Sequence, residues 1–242
     1  MRPVICGCAL DPVTLDEAVA AIDALIATGE QYEQVSINAA KLVRLQHDDF
    51  LREAVEKCEL STADGQAVVW AARLLGHRIP ERVAGIDLMH ALFALAARRR
   101  YRVFILGARP EVLEEAVRKI AESHPELRLV GWQHGYYAPR EEARIVGRIR
   151  AASPDILFIA LETPAKELFI SRHRERLGVR FVMGVGGAVD IVAGRRRRAP
   201  VWMQRMGLEW LFRLAQDPRR LARRYVVGNT RFVLLVLREA LK

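Results

Sequence analysis

Arg102-Val103-Phe104-Ile105-Leu106-Gly107-Ala108-Arg109-Pro110 decides the architecture of this chain. An unbroken apolar run ends on a glycine, and a proline three residues later opens an amphipathic pattern. The spacing predicts a strand over 102–106 that ends at Gly107 and a helix over 110–123. The same unit then recurs: a strand over 127–130 ending at Gly131, a helix over 141–152, a strand over 155–161, a helix over 164–177 and a strand over 179–185. Strands that are apolar throughout, alternating with helices, predict an α/β fold with a mostly parallel sheet covered on both faces. Ligands of such sheets bind beyond the carboxyl ends of the strands.

Working back toward the start, residues 4–10 read as a first strand. Thr14-Leu15-Asp16-Glu17 has the form of a capping box that opens a helix ending near Gly29. Gln34-Val35-Ser36-Ile37-Asn38 alternates polar and apolar residues as a short strand, and helical patterns follow through Leu42 and Leu45 and over 50–57. The next strand ends in Thr62-Ala63-Asp64-Gly65, so two strands close on polar residues, Ser36/Asn38 and Thr62/Asp64. Asp64 has two readings on this stretch alone. It can cap the following helix over 66–75, or it can present a carboxylate to the ligand crevice, where Gly65 lets a ligand approach. Arg82 and Asp87 lie in the loop before a helix over 88–98, either as a local ion pair with Asp87 as N-cap or in contact with substrate.

The chain of 242 residues is 51% hydrophobic, which suits one large domain or a domain with an appendage and points away from disorder. No apolar run approaches the length needed to cross a bilayer, and the apolar part of the N-terminus is too short for a secretory signal, so a cytoplasmic location is expected. Three cysteines supply neither a disulfide framework nor a four-ligand metal set. The net charge of +9 is unevenly placed. Residues 195–242 carry twelve Arg and one Lys against three acids, whereas residues 1–194 hold 25 basic and 26 acidic side chains. A near-neutral body, 1–194, therefore precedes a cationic module, 195–242.

Two strand ends offer backbone N–H groups to an anion. Gly107-Ala108-Arg109-Pro110 enters a helix at once, and Gly184-Val185-Gly186-Gly187 leads toward Asp190. Neither completes G-x-G-x-x-G, because Val189 occupies the third glycine position, so a nicotinamide cofactor is disfavoured. There is no Walker loop, G-x-S-x-G or H-E-x-x-H, and no Asp-x-Asp pair to hold Mg²⁺ against a diphosphate.

Ala63-Asp64-Gly65, Arg82-Val83-Ala84-Gly85 and Gly131-Trp132-Gln133-His134-Gly135-Tyr136 occur in that order. They precede Arg195-Arg196-Arg197-Arg198-Ala199-Pro200, the Trp202 to Leu214 stretch and Arg219-Arg220-Leu221-Ala222-Arg223-Arg224-Tyr225. This succession, from about Ser36 to Phe232, resembles the WecG/TagA/CpsF family of bacterial glycosyltransferases. The resemblance implies a Rossmann-like sheet and an inverting transferase without a metal cofactor. The substrates it implies are a UDP-sugar donor, carrying N-acetylmannosamine, its uronic acid or a hexose, and an acceptor sugar on polyprenyl diphosphate. It implies Asp64 as general base, with Ser36 and Asn38 as the polar pair on the neighbouring strand. Arg82 matches another family position, and Arg213, Arg220 and Arg223 match arginines that the family's appendage brings over the site. Tyr136, Gly107, Gly186, Gly187 and Asp190 complete the expected substrate-binding set, and homo-oligomers are implied when the tail is displaced.

The tail also carries Trp202, Met206, Leu208, Trp210, Leu211 and Leu214 at helical spacings and the run from Phe232 to Leu237. Apolar faces flanked by arginines suit a helix lying on anionic lipid, so peripheral contact with the inner face of the plasma membrane is expected. The alternative is a non-catalytic membrane or nucleic-acid binder; a nucleic-acid partner is disfavoured because the tail matches no recognition module. One departure from the family pattern stands out. Glu162-Thr163-Pro164-Ala165-Lys166-Glu167 replaces G-x-P-x-Q-E, so Lys166 takes the place of an amide and Glu162 that of a glycine. An amide donates and accepts, whereas an ammonium only donates and adds charge. Redirected donor choice, stabilisation of a leaving diphosphate by Lys166 and reduced activity all fit the change.

Overall fold

The computed structural model describes residues 2–241, with the side chains of Arg220, Arg223 and Arg224 outside the described residues. The expected contacts of Arg220 and Arg223 therefore lie outside the described residues. The chain opens on a hairpin of β1 (Val4–Ile5) and β2 (Cys8–Ala9), where a single strand over 4–10 was expected. Cys6 (φ 51°) and Gly7 (φ 77°) both adopt left-handed backbone, the pair of positive angles that a two-residue type I′ turn demands. Cysteine is not a usual turn residue, so composition hid the reversal.

Helix α1 (Leu15–Thr28) carries the expected capping box, with Thr14 Oγ1 accepting from Glu17 N–H, and stops at Gly29. Strand β3 (Tyr32–Ile37), helices α2 (Ala39–Leu45) and α3 (Asp49–Glu56), strand β4 (Leu60–Ala63) and helices α4 (Gln66–Leu74) and α5 (Gly85–Arg99) follow. The alternating half comprises β5 (Arg102–Gly107), α6 (Pro110–Ser123), β6 (Arg128–Gln133), α7 (Glu142–Ala152), β7 (Ile156–Ala160), α8 (Ala165–Leu177), β8 (Phe181–Gly184) and α9 (Ala188–Val192). Helices α10 (Val201–Arg205), α11 (Glu209–Gln216) and α12 (Pro218–Ala240) form the appendage.

Six strands, in the order β4-β3-β8-β7-β5-β6, make one sheet in which every pairing is parallel. This is the Rossmann-like α/β arrangement that the strand-helix alternation demands. Successive side chains of a strand face opposite sides. Val103 and Ile105 of β5, with Ile156 and Phe158 of β7, pack under α5 and α6. Phe104 and Leu106, with Leu157 and Ile159, pack under α7 and α8. With both faces covered, an alternating polar pattern is not needed, which is why these strands read as unbroken apolar runs.

The packing runs across residue 194. Phe232 and Val236 of α12 are buried among Leu42, Leu45 and Leu51 of α2 and α3, and Cys6 N–H donates to Glu239 Oε1 at 2.9 Å. Burial of each apolar side chain is worth roughly 1.5–3 kcal/mol, so the appendage is fastened to the body at its far end.

Candidate active site

Three of the expected residues lie together at the carboxyl ends of β3 and β4, Asp64 and Ser36 against Gly85 and Asn38 against Gly65. Asp64 follows β4 and takes its backbone direction from the sheet, its N–H donating to Ile37 O at 2.9 Å. Its side chain does not cap α4, whose N-cap Gly65 makes no side-chain bond. Instead Asp64 Oδ1 accepts from Gly85 N–H at 2.9 Å, across 21 residues, at the first turn of α5. A carboxylate at a helix start satisfies an orphan N–H and meets the positive end of the helix dipole. This remote cap explains why α5 begins at Gly85 rather than near residue 88. Among the described residues, Oδ2 of Asp64 accepts no hydrogen bond, and the residue is half-buried.

Ser36 lies against the same glycine, since a Cβ on Gly85 would come within 3.2 Å of Ser36 Oγ. Gln34 Nε2 donates to Ser36 Oγ (3.2 Å) and to Thr62 Oγ1 (2.8 Å), a buried polar rung between β3 and β4. Asn38 closes β3 as the N-cap of α2, its Oδ1 accepting from Lys41 N–H at 3.0 Å, and a Cβ on Gly65 would touch its side chain at 3.7 Å. Asp64, Ser36 and Asn38 are thus gathered by the register Ser36↔Thr62 and Ile37↔Ala63.

Arg82 and Asp87 do not pair with each other, and Asp87 sits inside the first turn of α5 rather than at its N-cap, which is Ala84. The local pairing is displaced by partners from the appendage. Arg82 binds Glu209 of α11, and Arg198 forms a two-pronged pair with Asp87 at 2.5 and 2.6 Å. Arg198 Nε also lies 3.8 Å from Glu209 Oε1. The bond to Asp87 chiefly, and the charges of Glu209 and Asp64 as well, raise the Arg198 pKa further above its ordinary value. Arg198 and Glu209 were not singled out from the sequence. A run of four arginines does not reveal which one folds inward.

This double pair sets an expectation for the appendage. A charge-assisted pair of this partly buried kind is worth about 1.5 kcal/mol, close to tenfold in an opening equilibrium. Arg198→Ala is expected to speed amide hydrogen exchange in α10 and α11 about tenfold while leaving β5 and β7 unchanged. Equal exchange in both proteins would show that the pair does not hold the appendage down.

The other expected residues form a second group. Gly107, Ala108 and Gly135 approach closely, with Ala108 N–H donating to Ala160 O (3.1 Å) and Gly135 N–H to Ala108 O (2.9 Å). Gly107 is therefore engaged in strand packing. Arg109 is held further above its usual pKa, first by its hydrogen bond to exposed Tyr136 and more weakly by the charge of Asp190. Asp190 Oδ2 lies 3.8 Å from where a Gly187 Cβ would stand, while Gly186 (φ +49°) faces open space. Arg213 is exposed on α11. Lys166 stands apart from the Asp64 group. Its stem crosses Gly184, on the opposite face of β8 from Met183, whose side chain approaches Gly85.

A family model described as Glycosyl transferase WecG/TagA/CpsF family matches residues 3–242. The chain belongs to this family. It is 35% identical over 176 residues, 73% of this chain and 67% of the relative, to the N-acetylglucosaminyldiphosphoundecaprenol N-acetyl-beta-D-mannosaminyltransferase of Bacillus subtilis (strain 168). Within this WecG/TagA/CpsF glycosyltransferase, the two clusters lie at the carboxyl ends of the strands, the end at which open parallel sheets bind ligands. The appendage of the transferase presents Trp202, Met206, Leu211, Val233, Leu234 and Leu237 to solvent, and the exposed Trp70 of α4 lies against Gly207 of the appendage. No described helix is long and apolar enough to cross a membrane.

Proposed function

We propose that this transferase moves a sugar, with inversion and without a metal, from a UDP donor to N-acetylglucosamine on polyprenyl diphosphate during surface-polysaccharide synthesis. N-acetylmannosamine is the donor sugar that the Bacillus subtilis relative's name favours; its uronic acid and a hexose are the other candidates. The observation that carries the reading is Asp64 at the carboxyl end of β4, whose carboxylate is oriented by Gly85 N–H through one oxygen and has no hydrogen-bond partner on the other among the described residues, with Ser36 and Asn38 close by.

A sugar hydroxyl is a weak nucleophile, and a carboxylate in hydrogen-bond reach removes its proton as it attacks. In the reaction proposed here the acceptor oxygen bonds to the anomeric carbon, the bond from that carbon to the β-phosphate oxygen of UDP breaks, and the hydroxyl proton passes to Asp64. The charge that grows on the leaving diphosphate needs cations or N–H groups already in place. Arg82, now neutralised by Glu209, is one such cation, and Arg213, Arg220 and Arg223 of the appendage are others that family resemblance puts forward. Exposed tryptophans and aliphatics beside arginines support peripheral contact of the appendage with an anionic membrane, where a lipid-linked acceptor resides.

Mass spectrometry of products from a panel of UDP-sugars and a short-chain prenyl-diphosphate-linked N-acetylglucosamine tests this. One donor is expected to add one sugar to the acceptor with release of UDP, in buffer containing a metal chelator. Failure of every donor, or transfer only after metal is restored, would overturn the corresponding part of the proposal.

A further inference from the structure

Across the sheet from Gly85, the first turn of α2 and the start of α8 bring together three nearly buried charges. Lys41 Nζ lies 3.5 Å and Lys166 Nζ 3.3 Å from the same oxygen, Glu167 Oε1. The side chains are 9%, 11% and 4% exposed, in that order. Thr163 Oγ1 donates to the same oxygen at 3.1 Å, whereas Glu167 Oε2 is buried without a hydrogen-bond partner among the described residues. Two ammonium groups therefore share one carboxylate, and one positive charge is left over in a poorly solvated place.

A structural ion pair needs one lysine, and the second only adds repulsion and desolvation. The surrounding groups do not cancel the surplus. Burial, and then the charge of Lys166, bring Lys41 down to about 8 against the pull of Glu167. Glu33 of β3 is pushed up to about 7, chiefly by burial, and makes no ion pair with either lysine among the described residues. Cys8, raised to about 11 by burial, and Cys58, raised for the same reason, stay protonated. Arg174, on the same side, is taken up by Glu59.

The position of the cluster matters as much as its charge. Lys41 is anchored through its N–H to Asn38, which adjoins Gly65 beside Asp64. The Lys166 stem runs over Gly184 at the carboxyl end of β8, where a Cβ would lie 2.4 Å from Lys166 Cδ, so only glycine leaves it this path. Both stems are flexible, and both residues follow the carboxyl end of a strand, Lys41 that of β3 and Lys166 that of β7.

We propose that Lys41 and Lys166 together form a binding site for the diphosphate group of a substrate, with Glu167 holding the two ammoniums in place until the anion arrives. This rests on the transferase reading above, and it assigns a role to the lysine that replaces the family's amide. Two substrates of that reaction carry a diphosphate, the nucleotide donor and the lipid-linked acceptor. An arriving anion offsets the repulsion between the lysines and draws the missing fraction of a proton onto Lys41.

Calorimetry on the full chain at pH 8, in buffers of different ionisation heat, tests this with three probes: UDP, farnesyl diphosphate and UMP. One of the two diphosphates is expected to bind with uptake of up to about half a proton, and the one that does names the source. Lys166→Gln and Lys41→Met are each expected to weaken that ligand about tenfold, remove most of the uptake and leave UMP affinity unchanged. Should Lys41→Met not fold, Lys166→Gln decides alone, since the neutral amide relieves the repulsion on Lys41. Unchanged diphosphate affinity and uptake in Lys166→Gln would overturn the site while sugar transfer by the unaltered chain still stood. Absence of any diphosphate binding by the unaltered chain would overturn both.

Discussion

Asp64→Asn is expected to slow sugar transfer about a hundred- to ten-thousand-fold, the range a positioned general base contributes, while UDP affinity and the melting temperature stay close to those of the unaltered chain. The separation of the two effects follows from geometry. Asparagine keeps an oxygen where Asp64 Oδ1 now accepts from Gly85 N–H at 2.9 Å, so the start of α5 remains capped. What it loses is the second, proton-accepting oxygen. Asp64→Ala would lose both functions and leave an orphan N–H at the helix start, at a further cost of about 1 kcal/mol. Comparing kcat/KM and thermal melting for the two variants therefore divides the catalytic from the structural role. Unaltered turnover in Asp64→Asn would remove Asp64 as the base.

Gly107→Ala is expected to destabilise the chain by at least about 3 kcal/mol, a large fraction of the stability of an ordinary domain. Gly107 has φ +123°, and a Cβ there would stand 2.4 Å from the carbonyl carbon, 2.5 Å from the oxygen and 2.8 Å from the Cα of Ala160. These are backbone atoms of β7, so relief requires the central strands β5 and β7 to part, with loss of the Ala108 N–H bond to Ala160 O. Gly186→Ala makes the contrast. That residue is also left-handed, at +49°, but meets open space, so only backbone strain of about 1 kcal/mol applies. Urea unfolding of both variants measures the difference, and equal midpoints would refute the close-approach argument.

The same two positions show where sequence reading works and where it stops. Gly107 was legible as the end of a strand, because a glycine after Val103-Phe104-Ile105-Leu106 marks a local break. That it touches Ala160, more than fifty residues away, was not. Thr14 and Glu17 announced α1 through a capping box made by neighbours in sequence, whereas α5 started early because its cap, Asp64, comes from another element. The hairpin at Cys6-Gly7 escaped notice because its angles are imposed by packing against α2, α3 and α12 rather than by a favoured turn pair.

Local chemistry, written in the order of residues, was sufficient for the α/β class, the parallel sheet, the succession of most helices and strands, the cationic appendage and the choice of Asp64, Ser36 and Asn38 as one group. Each of these depends on periodicity, on caps and breaks a few residues apart, or on motifs in fixed order. Only the folded chain decided who pairs with whom: Arg82 with Glu209, Asp87 with Arg198, and Lys41 and Lys166 with a single oxygen of Glu167. Charge acts through space over a few ångströms and is indifferent to distance along the chain. The partners of an arginine or a buried lysine are therefore set by the strand order and by the helices that cross it, and only the tertiary structure specifies those.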